Sequence, residues 1–438
     1  FEQLAVETKI EGNKIVAKAT GSLGGLVQPL VDMFFARLNS LKVIARKDGM
    51  LVYNLYTPPQ PSEPGFRHIF RKIKQMALRV PVLPGTVNLA ITTACQCRCV
   101  HCSASRFAAV GGKHLSTDEL KRVVDQSLGL GASLVIFTGG EPLVRPDIFE
   151  LIAHVDKSQA MVMIFTNGLG LTEDNVKKLA DAGLSTLNIS IDHLDPAKHD
   201  EWRAIPGCYK SALEGAARAR KAGILTGIST YAGRDSLRSG ALEELLKLGQ
   251  REGFHEVTIF DTIPSGNFLN KTELVLTPEE KKDVVALAMR YHNSSHPMGV
   301  VAQAFVNSPA GGGCFGAHTQ FYMTAFGDIN PCDFNPITFG NVRKMPLDAI
   351  WMKMISHSEY ACQRKECRMQ NPDYRREYVE PIPAWVPLPI PIECYTLGNP
   401  AKSREAIAAW AKKLGFKEDA AAQAGCAPVA EATRGCYR

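Results

Sequence analysis

Between residues 86 and 270, short apolar strand-like runs alternate with helix-like stretches, and this alternation restricts the fold more than any other feature of the chain. The strand candidates are 86–91, 134–137, 161–166, 186–190, 225–230 and 257–261. Helical segments fill the intervals, one of them opened by the capping box Ser116-x-x-Glu119. Repeated βα units require an α/β fold with a parallel sheet, either open and doubly wound or curled into a partial barrel. In both architectures ligands gather at the carboxyl ends of the strands. The residues that follow each strand are therefore the ones to read for chemistry.

The first strand, Thr86-Val-Asn-Leu-Ala-Ile91, runs into a loop with cysteines spaced C-x3-C-x2-C at Cys95, Cys99 and Cys102. Three thiolates on one short loop can take three irons of a cubane and leave the fourth open to a small molecule. The spacing is also compatible with a zinc site, to which His101 adds one ligand, or with cysteines that act as small buried hydrophobes. Twelve cysteines in a chain without a visible export signal favour metal or redox chemistry over disulfides.

The other strand ends carry polar signals of their own. The second runs into Phe137-Thr-Gly139-Gly140-Glu141-Pro142, where two glycines permit close approach of backbone and Glu141 can accept from an ammonium group. A tight turn is the plain reading of the same residues. Thr166-Asn167-Gly168 ends the third strand and also reads as a turn. Ser190-Ile-Asp192 ends the fourth with alternating polar side chains suited to vicinal hydroxyls. Arg203 is suited to clamping a carboxylate, its bland alternative being a surface arginine. The sixth ends in Thr262-Ile-Pro-Ser-Gly266, a turn able to present backbone to an aromatic base.

Taken in order, Cys95-x3-Cys99-x2-Cys102, Gly139-Gly-Glu-Pro142, Ser190-Ile-Asp192 and Arg203 resemble the radical S-adenosylmethionine (SAM) enzymes over residues 86–270. The resemblance implies a partial (β/α)6 barrel holding a [4Fe–4S] cluster, with the SAM amino and carboxylate groups on its unique iron. It implies reductive cleavage of SAM to methionine and a 5′-deoxyadenosyl radical that abstracts hydrogen from a C–H bond. The expected SAM contacts are His101, Gly139, Gly140, Glu141, Pro142, Thr166, Asn167, Ser190, Asp192 and Arg203, with a reductase, flavodoxin or ferredoxin as electron donor. In the family an aromatic residue usually precedes the last cysteine and lies by the adenine; here that place holds His101. Cys97 is an extra cysteine inside the motif and is read as a bystander.

A second group of cysteines lies at Cys314, Cys332, Cys362 and Cys367. Cysteines dispersed over the hairpin 321–330 and beyond the helix 347–357 suit one four-thiolate cluster, a zinc knuckle being the alternative. The stretch resembles the SPASM/twitch extension of radical SAM enzymes, in which C-x12-G-x4-C matches and the second half is shorter than the seven-cysteine series. One auxiliary [4Fe–4S] cluster is the expectation, with Cys394, Cys426 and Cys436 as the minority case for another.

The expected organisation is an α+β extension over 1–85, a barrel over 86–275, an auxiliary-cluster region over 276–395 and a tail helix over 396–438. In the extension, a helix near 26–38 precedes a hairpin in which Asp48-Gly49 separates 41–46 from 50–56. A helix over 66–79 places Phe66, Ile69, Phe70, Ile73 and Ala77 on one face and Arg67, Arg71 and Lys74 on another. It either packs on the body or touches a membrane or an acidic substrate. Net charge of +6 is too weak to argue for nucleic acid, and the absence of a long apolar run points to a cytoplasmic setting with peripheral membrane contact as an option. Residues 381–391 are proline-rich and read as an extended linker, and a helix spans 403–414. For the substrate, a small or lipid-like molecule is the first expectation and a peptide the second, because 1–85 does not read as three strands followed by three helices. A non-catalytic iron–sulfur electron carrier is the reading from another class.

Overall fold

The computed structural model describes residues 5–78, 82–107 and 113–418. The amino-terminal extension opens with an unexpected hairpin, β1 (Ala5–Glu11) paired antiparallel with β2 (Lys14–Thr20). The strands escape a sequence reading because β1 has no fully buried residue and β2 has two, Ile15 and Ala19, so little hydrophobic signal marks them. Helix α1 (Gly24–Asn39) packs Val31 and Phe35 onto Ile15 and Ala19. Strands β3 (Ala45–Lys47) and β4 (Met50–Val52) form the hairpin expected at Asp48-Gly49, with shorter arms than 41–46 and 50–56. The chain then enters the amino-terminal end of the main sheet. The Tyr56 hydroxyl donates to Thr258 Oγ1 and accepts from Asn188 Nδ2, each at 3.0 Å, and the Leu55 amide donates to the Glu256 carboxylate at 3.2 Å.

Helix α2 (Glu63–Leu78) is fastened to the body: Arg71 donates to the carbonyls of Pro84 and Gly131. The side chains of Ile73, Lys74 and Ala77, expected on its two faces, lie outside the described residues.

Six parallel strands follow: β5 (Thr86–Ala90), β6 (Leu134–Thr138), β7 (Met161–Thr166), β8 (Thr186–Ser190), β9 (Leu225–Ala232) and β10 (Glu256–Asp261). They lie side by side in sequence order. Such an order has no reversal point, so the doubly wound alternative is excluded and the six strands form the partial barrel. Between them run α3 (Thr117–Gly129), α4 (Ile148–His154), α5 (Glu173–Asp181), α6 (Pro196–Arg203), α7 (Cys208–Lys221), α8 (Arg234–Arg238) and α9 (Ala241–Arg251). The capping box at Ser116 and Glu119 starts α3 as expected. Strand residues such as Val135, Phe137, Leu187 and Ile189 are fully enclosed because helices cover the outer face and side chains fill the inner one.

The sheet continues beyond the six units at both edges. After α10 (Pro278–His292), β11 (Gly299–Ala302) adds parallel to β10. Beyond the short α11 (Gln303–Val306), β12 (Gln320–Met323) adds parallel to β5 and carries β13 (Ile329–Asn330) as its hairpin partner. The expected hairpin therefore joins the main sheet beside the strand that leads into the cysteine loop. Helix α12 (Leu347–Ser356) buries Trp351, whose indole N–H donates to the Val82 carbonyl at 2.8 Å. The chain continues through α13 (Pro372–Tyr378) and the proline-rich run to α14 (Pro400–Lys413). Ile390–Pro391 of that run pair with Ile337–Thr338 in a two-stranded edge, a position where proline is tolerated. No described helix is long and apolar enough to cross a membrane.

Candidate active site

The cysteine loop leaves the carboxyl end of β5 and is held from three sides. Gly140 and Glu141 donate backbone N–H bonds to the carbonyls of Thr92 and Ala94 at 2.7 and 2.8 Å. A Cβ on Gly140 would stand 2.2 Å from the Ala94 carbonyl oxygen, so only glycine lets the β6 turn approach the loop this closely. Arg98 and Val100 donate to the carbonyls of Arg203 and Trp202, both at 3.0 Å, which ties the loop to the end of α6. From the β10 side, Asn267 donates to the carbonyls of Cys102 and Cys99 at 3.1 and 3.0 Å.

A cavity of about 250 Å³ opens at these strand ends. Its wall includes Cys95, Cys99, Cys102, His101, Gly139, Gly140, Glu141, Thr166, Asn167, Ser190, Asp192 and Arg203, so the dispersed motif residues converge on one space. Pro142 lies just behind, buried at the first position of a short helical turn.

The polar groups have specific partners. Glu141 is buried, and its carboxylate accepts from Thr166 Oγ1 at 2.8 Å and from the amides of Asn167 and Leu143 at 2.8 and 3.1 Å. Burial pushes its pKa up to about 7. These bonds join the ends of β6 and β7, so the side chain fixes the turn. Arg203 donates to Asp192 Oδ2 through Nε at 2.8 Å and Nη2 at 2.5 Å, and its Nη1 reaches Cys99 Sγ at 3.5 Å. Burial acts to raise the Asp192 carboxyl, but the Arg203 charge prevails and holds it below the ordinary range. The arginine is thus a buried ion-pair partner directed at Asp192 and a cysteine.

His101 stacks on Tyr231 with ring centroids 5.4 Å apart and planes 13° apart, and its Nε2 lies 3.5 Å from Asp192. Burial lowers its pKa, favouring the neutral ring. Its Nδ1 and the Thr230 hydroxyl are buried without a hydrogen-bond partner among the described residues.

The thiols suit a cluster. Among the described residues no three His, Cys, Asp or Glu side chains converge to hold a single metal ion. Cys95, Cys99 and Cys102 all line the cavity, and thiolates on one loop can each take a different iron of a cluster. Cys99 is lowered to about pKa 7 by a hydrogen bond from Cys97 and, against the effect of burial, by the Arg203 charge, which favours the ligating thiolate.

The second cysteine set is looser. Cys314 and Cys367 are buried, and the negative charge of each acts on Cys332, whose thiol is pushed up first by its own burial. Cys362 is exposed, and the bonds described for it run through its backbone, which accepts from Arg368. The loop is anchored near Cys314, whose amide donates to the Arg364 carbonyl at 2.8 Å. Cys394 is buried elsewhere, and Cys426 and Cys436 lie outside the described residues.

The rest of the cavity wall was not anticipated from the sequence. Asn88, Phe165, Phe260 and Phe334 line it, as do two acids, Asp261 and Asp333. Asp261 accepts from Gln370 Nε2 at 2.7 Å. Burial raises Asp333 to about 6. The charge of Asp261 acts on Cys367 and that of Asp333 on Cys332, which puts the second cysteine set just behind this wall. Strand parity carried a partial signal: Asn88, Phe165 and Phe260 precede their strand ends at inward positions.

Comparison with known proteins agrees with this picture. Residues 89–249 match the model of the radical SAM superfamily, and residues 314–373 match an iron–sulfur cluster-binding domain of the SPASM type. The chain is 27% identical over 297 residues to an AdoMet-dependent heme synthase of Nitratidesulfovibrio vulgaris, covering 63% of this chain and 80% of the relative. It is 25% identical over 316 residues to the PqqA peptide cyclase of Rhizobium meliloti, covering 66% and 84%. Streptococcus suis SuiB bound to S-adenosylmethionine superposes with a TM-score of 0.53 at 15% identity, covering 84% of this chain and 96% of that one. At that identity the likeness concerns the fold alone.

Proposed function

The chain belongs to the radical SAM superfamily and carries a SPASM-type iron–sulfur domain, and from that premise we propose an enzyme that functionalises a C–H bond of a substrate presenting N–H or O–H donors. Cys95, Cys99 and Cys102 would hold the SAM cluster, and Cys314, Cys332, Cys362 and Cys367 an auxiliary one. When bound, the first cluster supplies the electron that cleaves SAM to methionine and a 5′-deoxyadenosyl radical able to take hydrogen from carbon. The chain's own residues position the reactants. The stacked His101–Tyr231 pair offers a flat, neutral surface for the adenine, and Ser190 offers a hydroxyl to the ribose. The Asp192–Arg203 pair fixes Cys99, and Glu141 acts by fixing the 139–142 turn.

One observation carries the choice of substrate class: the charged side chains of the wall that are not in an ion pair are acids. Apart from Arg203, which is paired with Asp192, no lysine or arginine among the described residues lines the cavity, whereas Asp261 and Asp333 do. Carboxylates receive ammonium, amide or hydroxyl donors and repel other carboxylates. Phe165, Phe260 and Phe334 add apolar flanks for the rest of the group. This favours a peptide side chain or a small amine or alcohol over a long acyl chain, and over polycarboxylates such as the tetrapyrroles suggested by the heme synthase relatives.

The test measures 5′-deoxyadenosine formation by the reconstituted, reduced protein with added compounds. Coproporphyrin III is expected to leave the basal rate unchanged, and peptides rich in serine, threonine or lysine to raise it. Acceleration by coproporphyrin III would overturn the assignment.

A further inference from the structure

The turn that follows β10, residues 262–269, forms one side of the cavity and grips the cysteine loop. Ile263, Ser265 and Phe268 line the cavity. Asn267 donates to the carbonyls of Cys99 and Cys102, and a Cβ on Gly266 would stand 2.0 Å from the Cys102 carbonyl oxygen. Turn and loop are therefore in direct backbone contact. The Thr262 hydroxyl lies 2.7 Å from that of Tyr231, the ring on which His101 stacks. Phe268 meets the same ring edge-on at 5.9 Å between centroids.

Both ends of this turn are held by side chains from the carboxyl-terminal region. At the first end, Gln370 Nε2 donates to the Asp261 carboxylate and to the Thr262 carbonyl, both at 2.7 Å. Its Oε1 accepts from Lys281 of α10 at 2.8 Å. The lysine can only donate and the Thr262 carbonyl can only accept, so these partners fix which way the amide faces. At the other end, Arg375 of α13 is 4% exposed and donates to the Leu269 carbonyl at 2.6 Å and the Met369 carbonyl at 3.3 Å. Neither Gln370 nor Arg375 lines the cavity.

We propose that Gln370 and Arg375 are positioning residues for SAM: by holding the 262–269 turn at both ends, they set the wall formed by that turn, Tyr231 and the cysteine loop. The proposal rests on the assignment of this cavity to SAM. Inside the turn, the Phe268 and Leu269 amides donate to the Ser265 and Gly266 carbonyls, which are short-range bonds that do not place the segment on the barrel. A short irregular segment left to itself samples many backbone conformations. Donors from outside remove that freedom, and a binding wall is only as exact as the layer of bonds behind it. Removing either side chain leaves buried carbonyl oxygens without their donors. The carboxyl-terminal region thus contributes to SAM affinity without touching SAM. The alternative is that the same bonds only dock that region onto the barrel, in which case the folded protein keeps its affinity.

The two are separated by measuring SAM bound at equilibrium by ultrafiltration, and 5′-deoxyadenosine formation against SAM concentration, in reconstituted protein at equal iron content. Gln370→Leu and Arg375→Met should each raise half-saturating SAM about tenfold, the size expected when buried acceptors lose their donors. The rate at saturating SAM should change little. Arg375→Lys, which keeps the charge and a donor, should recover most of the difference. Asn267→Ala, at an exposed position on the turn, removes its side-chain bond to the Cys99 carbonyl without disturbing the carboxyl-terminal region, and should raise half-saturating SAM as well. Lower stability of Gln370→Leu and Arg375→Met with unchanged half-saturation would overturn the proposal in favour of simple docking. An unchanged value in Asn267→Ala would overturn it even if the other two fail to fold. A loaded wild-type protein that binds no SAM would instead remove the assignment beneath it.

Discussion

The two cysteine sets are built in contrasting ways. Cys95, Cys99 and Cys102 sit on one short loop that backbone hydrogen bonds from β6, α6 and the β10 turn hold in place, beside a buried Asp192–Arg203 pair. Cys314, Cys332 and Cys367 come from separate segments brought together by tertiary packing, and Cys362 remains exposed. The first set is preorganised by its local scaffold. The second depends on the meeting of a hairpin, a helix and a loop. Site geometry on rigid elements is held more tightly than geometry on loops, so the two should respond differently to substitution.

The largest contrast is expected from the cysteines proposed as ligands. Cys99→Ala should reduce SAM cleavage to reagent background. Cys332→Ala should lower the iron content by about four of eight atoms per chain, from the two-cubane assignment, and keep SAM cleavage. Cys362→Ala should show a smaller iron loss than Cys332→Ala. Equal loss from Cys332 and Cys362 would break the distinction between the enclosed and the exposed cysteine, and loss of SAM cleavage in Cys332→Ala would break the separation of the two sets.

Next in size is the ion pair behind Cys99. Asp192→Ala leaves the buried Arg203 guanidinium without its partner, which costs about 3–5 kcal/mol. Chemical denaturation should show that loss together with lower occupancy of the first site. A drop in stability with unchanged iron would mean that the pair supports the barrel alone.

Gly140→Ala comes third. The added Cβ would meet the Ala94 carbonyl oxygen at 2.2 Å, so the loop backbone must move. Overpacking of this kind costs about 1–3 kcal/mol. SAM cleavage should fall while the auxiliary site still loads, and parallel loss at both sites would argue for general misfolding.

The barrel was legible because its signal is local. Strands Met161–Thr166 and Thr186–Ser190 match their expected limits, and each motif residue could be placed by the strand it follows. The Asp192–Arg203 pair was hidden, since a motif gives residue types and not the partner each will choose. Arg203, expected to clamp a carboxylate of a ligand, is directed at a carboxylate of the protein. The acids of the cavity were hidden for another reason. Asp333 follows a cysteine on a distant segment and reaches the barrel only through the docking of β12 and β13 onto β5. The first hairpin was missed because β1 has no fully buried residue.

The last prediction is a control away from both cysteine sets, with the smallest expected effect on either of them. Glu256 lies at the amino-terminal end of β10, and burial pushes its pKa from 4.5 up to about 8. The folded state therefore holds this proton more tightly than the unfolded one. Its contribution to stability is full below pH 4.5 and is lost as pH rises through about 8. Glu256→Gln lacks that dependence, so its stability relative to wild type should rise across this window, by an amount on the order of a few kcal/mol. Iron content should not change. A flat difference between the two proteins would show that the carboxyl titrates normally.

The central claim is that the loop at Cys95, Cys99 and Cys102 forms a SAM-cleaving centre. Reconstituted protein given SAM and a strong reductant should release 5′-deoxyadenosine and methionine in equal amounts. No 5′-deoxyadenosine from a protein whose first cluster is shown to be loaded would contradict it.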